Sequence, residues 1–340
     1  MLKKILLIAL SSLMILYFTS CKDDNEPKKL KIGLVSGLGS LADRGFNQQA
    51  VEGLTNVALE TGSEYEVRES ASIAEIESNI AHFCDQKFDV IIAMTYDAAQ
   101  PAYDAAIAHP GVKFILLDNS FNDVPANLVC ITFQVDQVSF MAGFLAAWWT
   151  WKKNPAGPKA AFVAGPDIPQ IRQFTQSYAA GVDYFNTRYS LNVEASGANA
   201  GNFNDTLQGA HLADSLIQSG ADLVFACAGK TGNGALFQAK TSGIQAIGVD
   251  TDQYLTIPEV GDILLTSCMK RLDISIYDEI RAIIGNQFHG GSTIISNLTG
   301  NGVQLAPFHN FENQIPDSIK TVLGEIRQGI INGTVNTGWK

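Results

Sequence analysis

Basic residues are scarce: 23 Lys and Arg stand against 34 Asp and Glu, for a formal charge of −11. No basic run exceeds two residues. Nucleic-acid binding needs a positive stripe that displaces counterions, so that class of partner is excluded. Cysteine is sparse as well. Cys84, Cys130, Cys227 and Cys268 lie far apart, which leaves neither a CxxC redox pair nor a zinc spacing. Cys130, Cys227 and Cys268 fall in apolar, strand-like runs, where buried free thiols are expected. Their spacing leaves any disulfide pairing open. The histidines, at His82, His109, His211, His289 and His309, form no HxH or HExxH pattern, so no metal site is expected. There is no G-x-S-x-G elbow and no close acid/base couple of carboxylates. No cofactor is expected.

The first residues are a different material. Met1-Leu2-Lys3-Lys4 is a short basic start, and Ile5 to Phe18 is almost unbroken apolar sequence. Small residues Thr19 and Ser20 then precede Cys21. A basic start, a short apolar segment and small residues before a cut site describe a secretory signal over residues 1–20. The run is shorter than the roughly 20 residues a membrane span needs. Cys21 at the boundary resembles a bacterial lipobox, which implies a lipid anchor on that thiol. The protein would then be held to a membrane, facing the periplasm or the cell surface. Residues 21–29 are polar and charged and read as a tether. Acidic residues just after the lipidated Cys resemble surface-export signals of Bacteroidetes lipoproteins.

The remaining chain alternates short apolar runs with amphipathic stretches. Leu30 to Val35, Val90 to Met94, Phe114 to Leu117 and Val129 to Phe133 read as strands. Ala160 to Val163, Leu223 to Ala226, Ala246 to Val249 and Ile263 to Ser267 repeat the series. Helix-like segments such as Gln48 to Glu60, Ile73 to Gln86 and Thr206 to Ser219 lie between them. Strands bounded by helices predict βαβ units and parallel sheets covered on both faces. Two such series predict an α/β protein of two doubly wound lobes with a cleft between them. Val138 to Trp151 is the most apolar stretch after the leader, and is too short to span a bilayer.

Ligands of such sheets meet the loops after the carboxyl ends of strands. That rule selects Asp43, Phe46, Asn47, Thr95, Tyr96, Asp118 and Asn119 in the first half. In the second it selects Asp167, Gly229, Lys230, Thr231, Asp250 and Asp252. Gly37-Leu38-Gly39-Ser40-Leu41-Ala42 fits a dinucleotide fingerprint in letters, but Asp43 directly after it would repel a pyrophosphate. Gly229-Lys230-Thr231 is no P-loop, because Val224 stands where a glycine is needed.

Several segments together resemble one family. They include Asp43-Arg44-Gly45-Phe46-Asn47-Gln48, Ser139-Phe140-Met141-Ala142-Gly143, Phe203-Asn204-Asp205 and Ala228-Gly229-Lys230-Thr231-Gly232-Asn233-Gly234. Ile247-Gly248-Val249-Asp250-Thr251-Asp252-Gln253 and Thr266-Ser267-Cys268-Met269-Lys270-Arg271 complete the set. Their order resembles the basic membrane protein family of ABC-transporter solute-binding lipoproteins, also called purine nucleoside receptor-like. The resemblance implies a type I periplasmic binding fold, hinged at three crossovers. It implies a first lobe of residues 30–134 plus 269–290, and a second of 135–268 plus 291–340. It further implies a monomer that captures a nucleoside-like small molecule and delivers it to a membrane permease, with no enzymatic step.

By the same resemblance, Phe46 and Phe203 sandwich the ring of the ligand. Asp250, Lys270 and the backbone at Gly229 hold its sugar, while Asn47 and Asp118 line the cleft, Asp118 on the ring side. Asp43, Tyr96, Asp252 and Gln253 are further candidates. One departure bears on the ligand: the family's nucleoside binders carry an Asp, reading the purine edge, where this chain has Gly37. A different nucleoside, or another hydroxylated ring compound, is the consequence. Two alternatives of other classes are a ligand-sensing lipoprotein that signals to a membrane receptor and a nucleoside hydrolase using Asp250 and Asp252.

Overall fold

Apolar runs of five to seven residues, too short for helices and rich in branched side chains, build the inner strands of the sheets. The computed structural model describes residues 28–339, so the leader, Cys21 and most of the tether lie outside the described residues. The chain begins β1 (Lys31–Val35), α1 (Phe46–Thr61), β2 (Glu64–Arg68), α2 (Ile73–Asp85), β3 (Val90–Met94), α3 (Ala99–Ala108), β4 (Lys113–Leu117) and β5 (Leu128–Phe133). It continues with α4 (Val135–Lys153), β6 (Lys159–Ala164), α5 (Pro169–Tyr189), β7 (Glu194–Asn199), α6 (Thr206–Gln218), β8 (Leu223–Cys227) and α7 (Gly229–Thr241). Then come β9 (Gln245–Asp250), α8 (Gln253–Thr256), β10 (Leu264–Lys270), α9 (Leu272–Ile284), β11 (Ser292–Ser296), β12 (Val303–Leu305) and α10 (Asp317–Ile331).

The strands form two six-stranded sheets, ordered β11-β5-β4-β3-β1-β2 and β12-β10-β9-β8-β6-β7. Among the described residues every pairing is parallel except β10 with β12. This is the doubly wound pair of lobes expected, and the chain passes between the sheets three times, after β5, β10 and β11. Side chains alternate along the strands. Val90, Ile92 and Met94 join one core cluster, while Ile91 and Ala93 join another on the opposite face. Both faces are therefore buried, as parallel sheets require.

The division at 290/291 needs correction. Ser292–Ser296 pairs in parallel with β5, so it belongs to the first sheet, not to the second lobe. Met269 likewise pairs with Asp250, and Lys270 with Val303, inside the second sheet. A strand's partner is set by hydrogen bonds to distant chain, which local pattern does not encode.

The apolar stretch near Trp149 becomes α4, buried on nearly every side from Val135 to Thr150. A helix apolar all round is a core helix when other elements surround it. Here α5 and α10 pack against it. The α4–α5 crossing depends on two glycines. A Cβ on Gly143 would stand 1.9 Å from the Tyr178 carbonyl oxygen, and one on Gly181 would stand 2.0 Å from that of Phe140. Among the described residues no helix is long and apolar enough to cross a membrane.

Candidate functional site

The carboxyl ends of both sheets point at one cleft of about 720 Å³, its open mouth included. The turns that leave the strands there are unusual. Thr95 after β3, Asp118 after β4, Asp250 at the end of β9 and Gly229 after β8 all have positive φ, between 53° and 70°. Aspartate tolerates this region better than most residues, and such outliers concentrate at functional sites. All four residues line the cleft.

Lys270 and Asp250 form the rear wall, 4% and 7% exposed. Lys270 Nζ donates to Asp118 Oδ2 at 2.7 Å. Asp118 therefore sits beside the ammonium in the cleft wall. The same ammonium lies 5.0 Å from the Phe46 ring centroid and 5.3 Å from that of Phe174. These aromatic faces offset part of the cost of burying a cation. Burial pushes the Asp250 carboxyl up to about 7. Lys270 pulls it back toward ionisation, while Asp43 and Asp118 add to the rise.

The loop before α1 is organised by Asp43. Its carboxylate accepts from the backbone N–H groups of Gly45, Asn47 and Gln48. That arrangement holds the first turn of α1 and places Phe46 and Asn47 against the cleft. Burial still dominates over these donors and raises the Asp43 pKa. Phe46 is 8% exposed and belongs to the core as well as to the cleft wall. Phe203 lines the cleft from the other lobe, packed so closely on Gly165 that a Cβ there would stand 2.3 Å from its ring. Gly229 opens α7 beside it. Tyr96 lies at the rim, 37% exposed.

Five candidates are absent from the cleft wall: Asn119, Asp167, Thr231, Asp252 and Gln253. Asp252 Oδ2 is held by His309 Nε2 at 2.7 Å, and that imidazole stacks on Tyr254. Gln253, 2% exposed, accepts from Val249 N–H and donates to Asn233. Both brace the turn after β9; neither lines the cleft. The Asp250-x-Asp252 pair is thus split by the reversal at Asp250.

Other wall residues carry no clear signal in the sequence. Asp97, Gln170, Ile171, Phe174 and Asn204 all line the cleft. Asp97 lies one residue past Tyr96, and Asn204 directly follows Phe203. Phe174 and Ile171 project from α5, where a helical pattern reads as ordinary core. The mouth is bridged from lobe to lobe. Asn204 donates to Leu38 O and accepts from Ser40 N–H. Asn233 donates to Asp43 O, and Thr256 to Arg44 O. Arg44 Nη1 meets both Glu259 oxygens at 2.9 Å. The lobes are closed on each other.

Comparison with known proteins agrees with this architecture. The family described as ABC transporter substrate-binding protein PnrA-like matches residues 30–336. A Listeria innocua protein named CD4+ T-cell-stimulating antigen is 29% identical, over 92% of this chain and 89% of its own. The ABC transporter nucleoside-binding protein BmpA of Lactococcus lactis is 27% identical, over 89% and 88%. An ABC transporter solute-binding protein from Aeropyrum pernix superposes with a TM-score of 0.84 at 23% identity, covering 90% of this chain and 92% of its own. Because the family match runs from the first strand through the last helix, the chain belongs to the PnrA-like family of ABC transporter substrate-binding proteins.

Proposed function

We propose that this substrate-binding protein captures a nucleoside-like ligand and delivers it to its ABC permease. The observation that carries the reading is the buried Asp250 carboxylate beside Lys270 at the rear of a cleft walled by Phe46 and Phe203. Asp250 accepts from two neighbouring sugar hydroxyls, and Lys270 donates to their oxygens while keeping its bond to Asp118. Phe46 and Phe203 cover the two faces of a flat ring, each contact adding about 0.5–1.5 kcal/mol beyond burial. The named nucleoside-binding relative supports the same ligand class. Closure is a hinge motion in which ligand contacts from both lobes add to the direct bridges between them.

A thermal-shift screen over nucleosides, free bases and sugars tests this. A nucleoside at a hundredfold excess over Kd stabilises the protein by about 2.7 kcal/mol. Stabilisation by free sugars or by none of the compounds would contradict the reading.

The bridge between Arg44 and Glu259 has a smaller role. Both side chains are about half exposed, 44% and 50%. Such pairs contribute at most about 1 kcal/mol and are screened by salt. Arg44→Ala is expected to weaken binding by no more than about fivefold at low salt, and not at all in about 1 M salt. A large loss that persists in high salt would show that Arg44 touches the ligand.

We also assign Cys21 as the lipid-bearing residue that anchors the protein outside the cytoplasm. Cys21→Ser should move the protein from the membrane fraction to the soluble fraction. Unchanged membrane fractionation would contradict the anchor.

A further inference from the structure

Gly37 has no room for a side chain. A Cβ there would stand 2.0 Å from the Thr95 hydroxyl oxygen and 3.0 Å from the Met94 carbonyl oxygen. The polar group at this end of the cleft therefore comes from elsewhere. The turn after β3 brings in Asp97, whose Oδ2 accepts from the backbone N–H of Leu38 at a long 3.5 Å and whose carboxyl is also met by the Thr95 and Tyr96 side chains. Across the Leu38–Gly39 loop stands Asn47, 6% exposed. Its Nδ2 donates to Ser40 O at 3.1 Å, which fixes the orientation of the amide. Asn47 Oδ1 is then buried without a partner among the described residues. Gln170 repeats the pattern: Nε2 donates to Asp118 O, and its buried Oε1 has no partner among the described residues.

Both free amide atoms of this cleft are thus acceptors. A buried acceptor without a donor costs stability, and a ligand that supplies the donor recovers it. Burial also raises the Asp97 pKa, against the hydrogen bonds that lower it. Incoming N–H groups would favour its ionised form. A carboxylate has two parallel acceptor oxygens, which match two adjacent N–H groups on one ring edge.

Resting on the nucleoside reading above, we propose that Asp97, supported by Asn47, reads a ring edge bearing a ring N–H next to an exocyclic amino group. That is the edge of a 2-amino-6-oxopurine nucleoside, the guanosine class. Adenine sets a ring-nitrogen lone pair beside its amino group, so the same carboxylate meets one donor and one repelling acceptor. Inosine offers the ring N–H without the amino group and ranks between them. Sites built on such polar pairs discriminate strongly against ligands that leave them unpaired.

Calorimetry with guanosine, inosine and adenosine tests the assignment on the wild type and on Asp97→Asn. Guanosine is expected to bind at least about tenfold more tightly than adenosine. Asp97→Asn should cost guanosine about tenfold or more and adenosine less than about twofold. Melting of both proteins without ligand checks that the variant is folded, and the wild-type ranking tests the proposal independently of any variant. Nucleoside binding without a guanosine preference overturns this assignment alone, as does an equal loss for all three. Failure of every nucleoside to bind overturns the assignment together with the reading on which it rests.

Discussion

Asp250→Ala should reduce nucleoside affinity by about 100-fold or more at pH 8. Two hydrogen bonds to a charged acceptor are at stake, each worth roughly 1.5–3 kcal/mol, and each 1.4 kcal/mol is tenfold. Without ligand, the variant should melt close to the wild type at that pH, because removing a carboxylate that burial penalises offsets the cost of alanine at φ 67°. The pH dependence has a definite sign. Burial raises the Asp250 pKa above its ordinary value, to about 7 in the closed form, so the closed form disfavours the charged carboxylate. The stability it contributes is fully present below the ordinary value of 3.8 and is lost as pH rises through 7. Ligand hydroxyls need the opposite state, the ionised acceptor. Affinity should therefore fall as pH drops below about 7, and Asp250→Ala should flatten that fall. The charged groups facing Asp250 are Lys270, Asp43 and Asp118. Lys270 and Asp118 are paired with each other, and Asp43 is held by three backbone N–H groups. Calorimetry between pH 5.5 and 8.5 reads both effects, and an Asp250→Ala protein that binds as the wild type does would remove Asp250 from the site.

The second large effect concerns the fold. Gly143→Val drives a branched side chain into the Tyr178 backbone, where even a Cβ would stand at 1.9 Å. Helices α4 and α5 must separate, and overpacking of this kind costs about 3 kcal/mol or more. A loss of that size corresponds to a Tm lowered by roughly 4–5 °C or more in a protein of this length. Gly324 provides the contrast. It lies inside α10, and a Cβ there would meet nothing within 4 Å, so alanine fits without contact. Gly324→Ala should stabilise by about 1 kcal/mol through helix propensity. Thermal melting reads both. A Gly143→Val protein that melts within a degree or two of the wild type would contradict the packing described for the second lobe.

Much of the architecture is legible because parallel sheets write themselves as short apolar runs. Val90 to Met94 and Leu223 to Cys227 are short, wholly apolar runs, buried at every position. Ser292–Ser296 illustrates the limit. Its residues suit a strand, but its membership of the first sheet depends on hydrogen bonds to Val129–Phe133, far back in the chain. The cleft follows the same logic. Asp250 and Asp118 stand at strand ends, where the sheet rule locates ligands, and both line the wall. Asp252 obeys the same rule in letters, yet the positive φ at Asp250 redirects the chain and His309 takes the carboxylate. Asp97 and Phe174 are hidden for different reasons. Asp97 follows a tight turn whose direction is set by the fold around it, and Phe174 sits on a helix face that sequence assigns to core. The consequence of Gly37 is half visible: the missing side chain can be read, but not the Thr95 hydroxyl that fills its space.

Closure and ligand recognition meet in one loop. Asp43 caps the first turn of α1, supports Phe46 and Asn47, and offers its own carbonyl to Asn233 of the other lobe. A ligand that orders this loop therefore also strengthens the contact between lobes, which links recognition to the closed shape a permease would receive.

Titration calorimetry of inosine against 2′,3′-dideoxyinosine at pH 8 asks whether the rear wall grips a pair of sugar hydroxyls. Inosine is expected to bind with a Kd of micromolar order or tighter, about −8 kcal/mol. Binding should weaken at least about 100-fold when both hydroxyls are gone. Equal affinity for the two compounds, or no heat from either, would contradict a site built on Asp250 and Lys270.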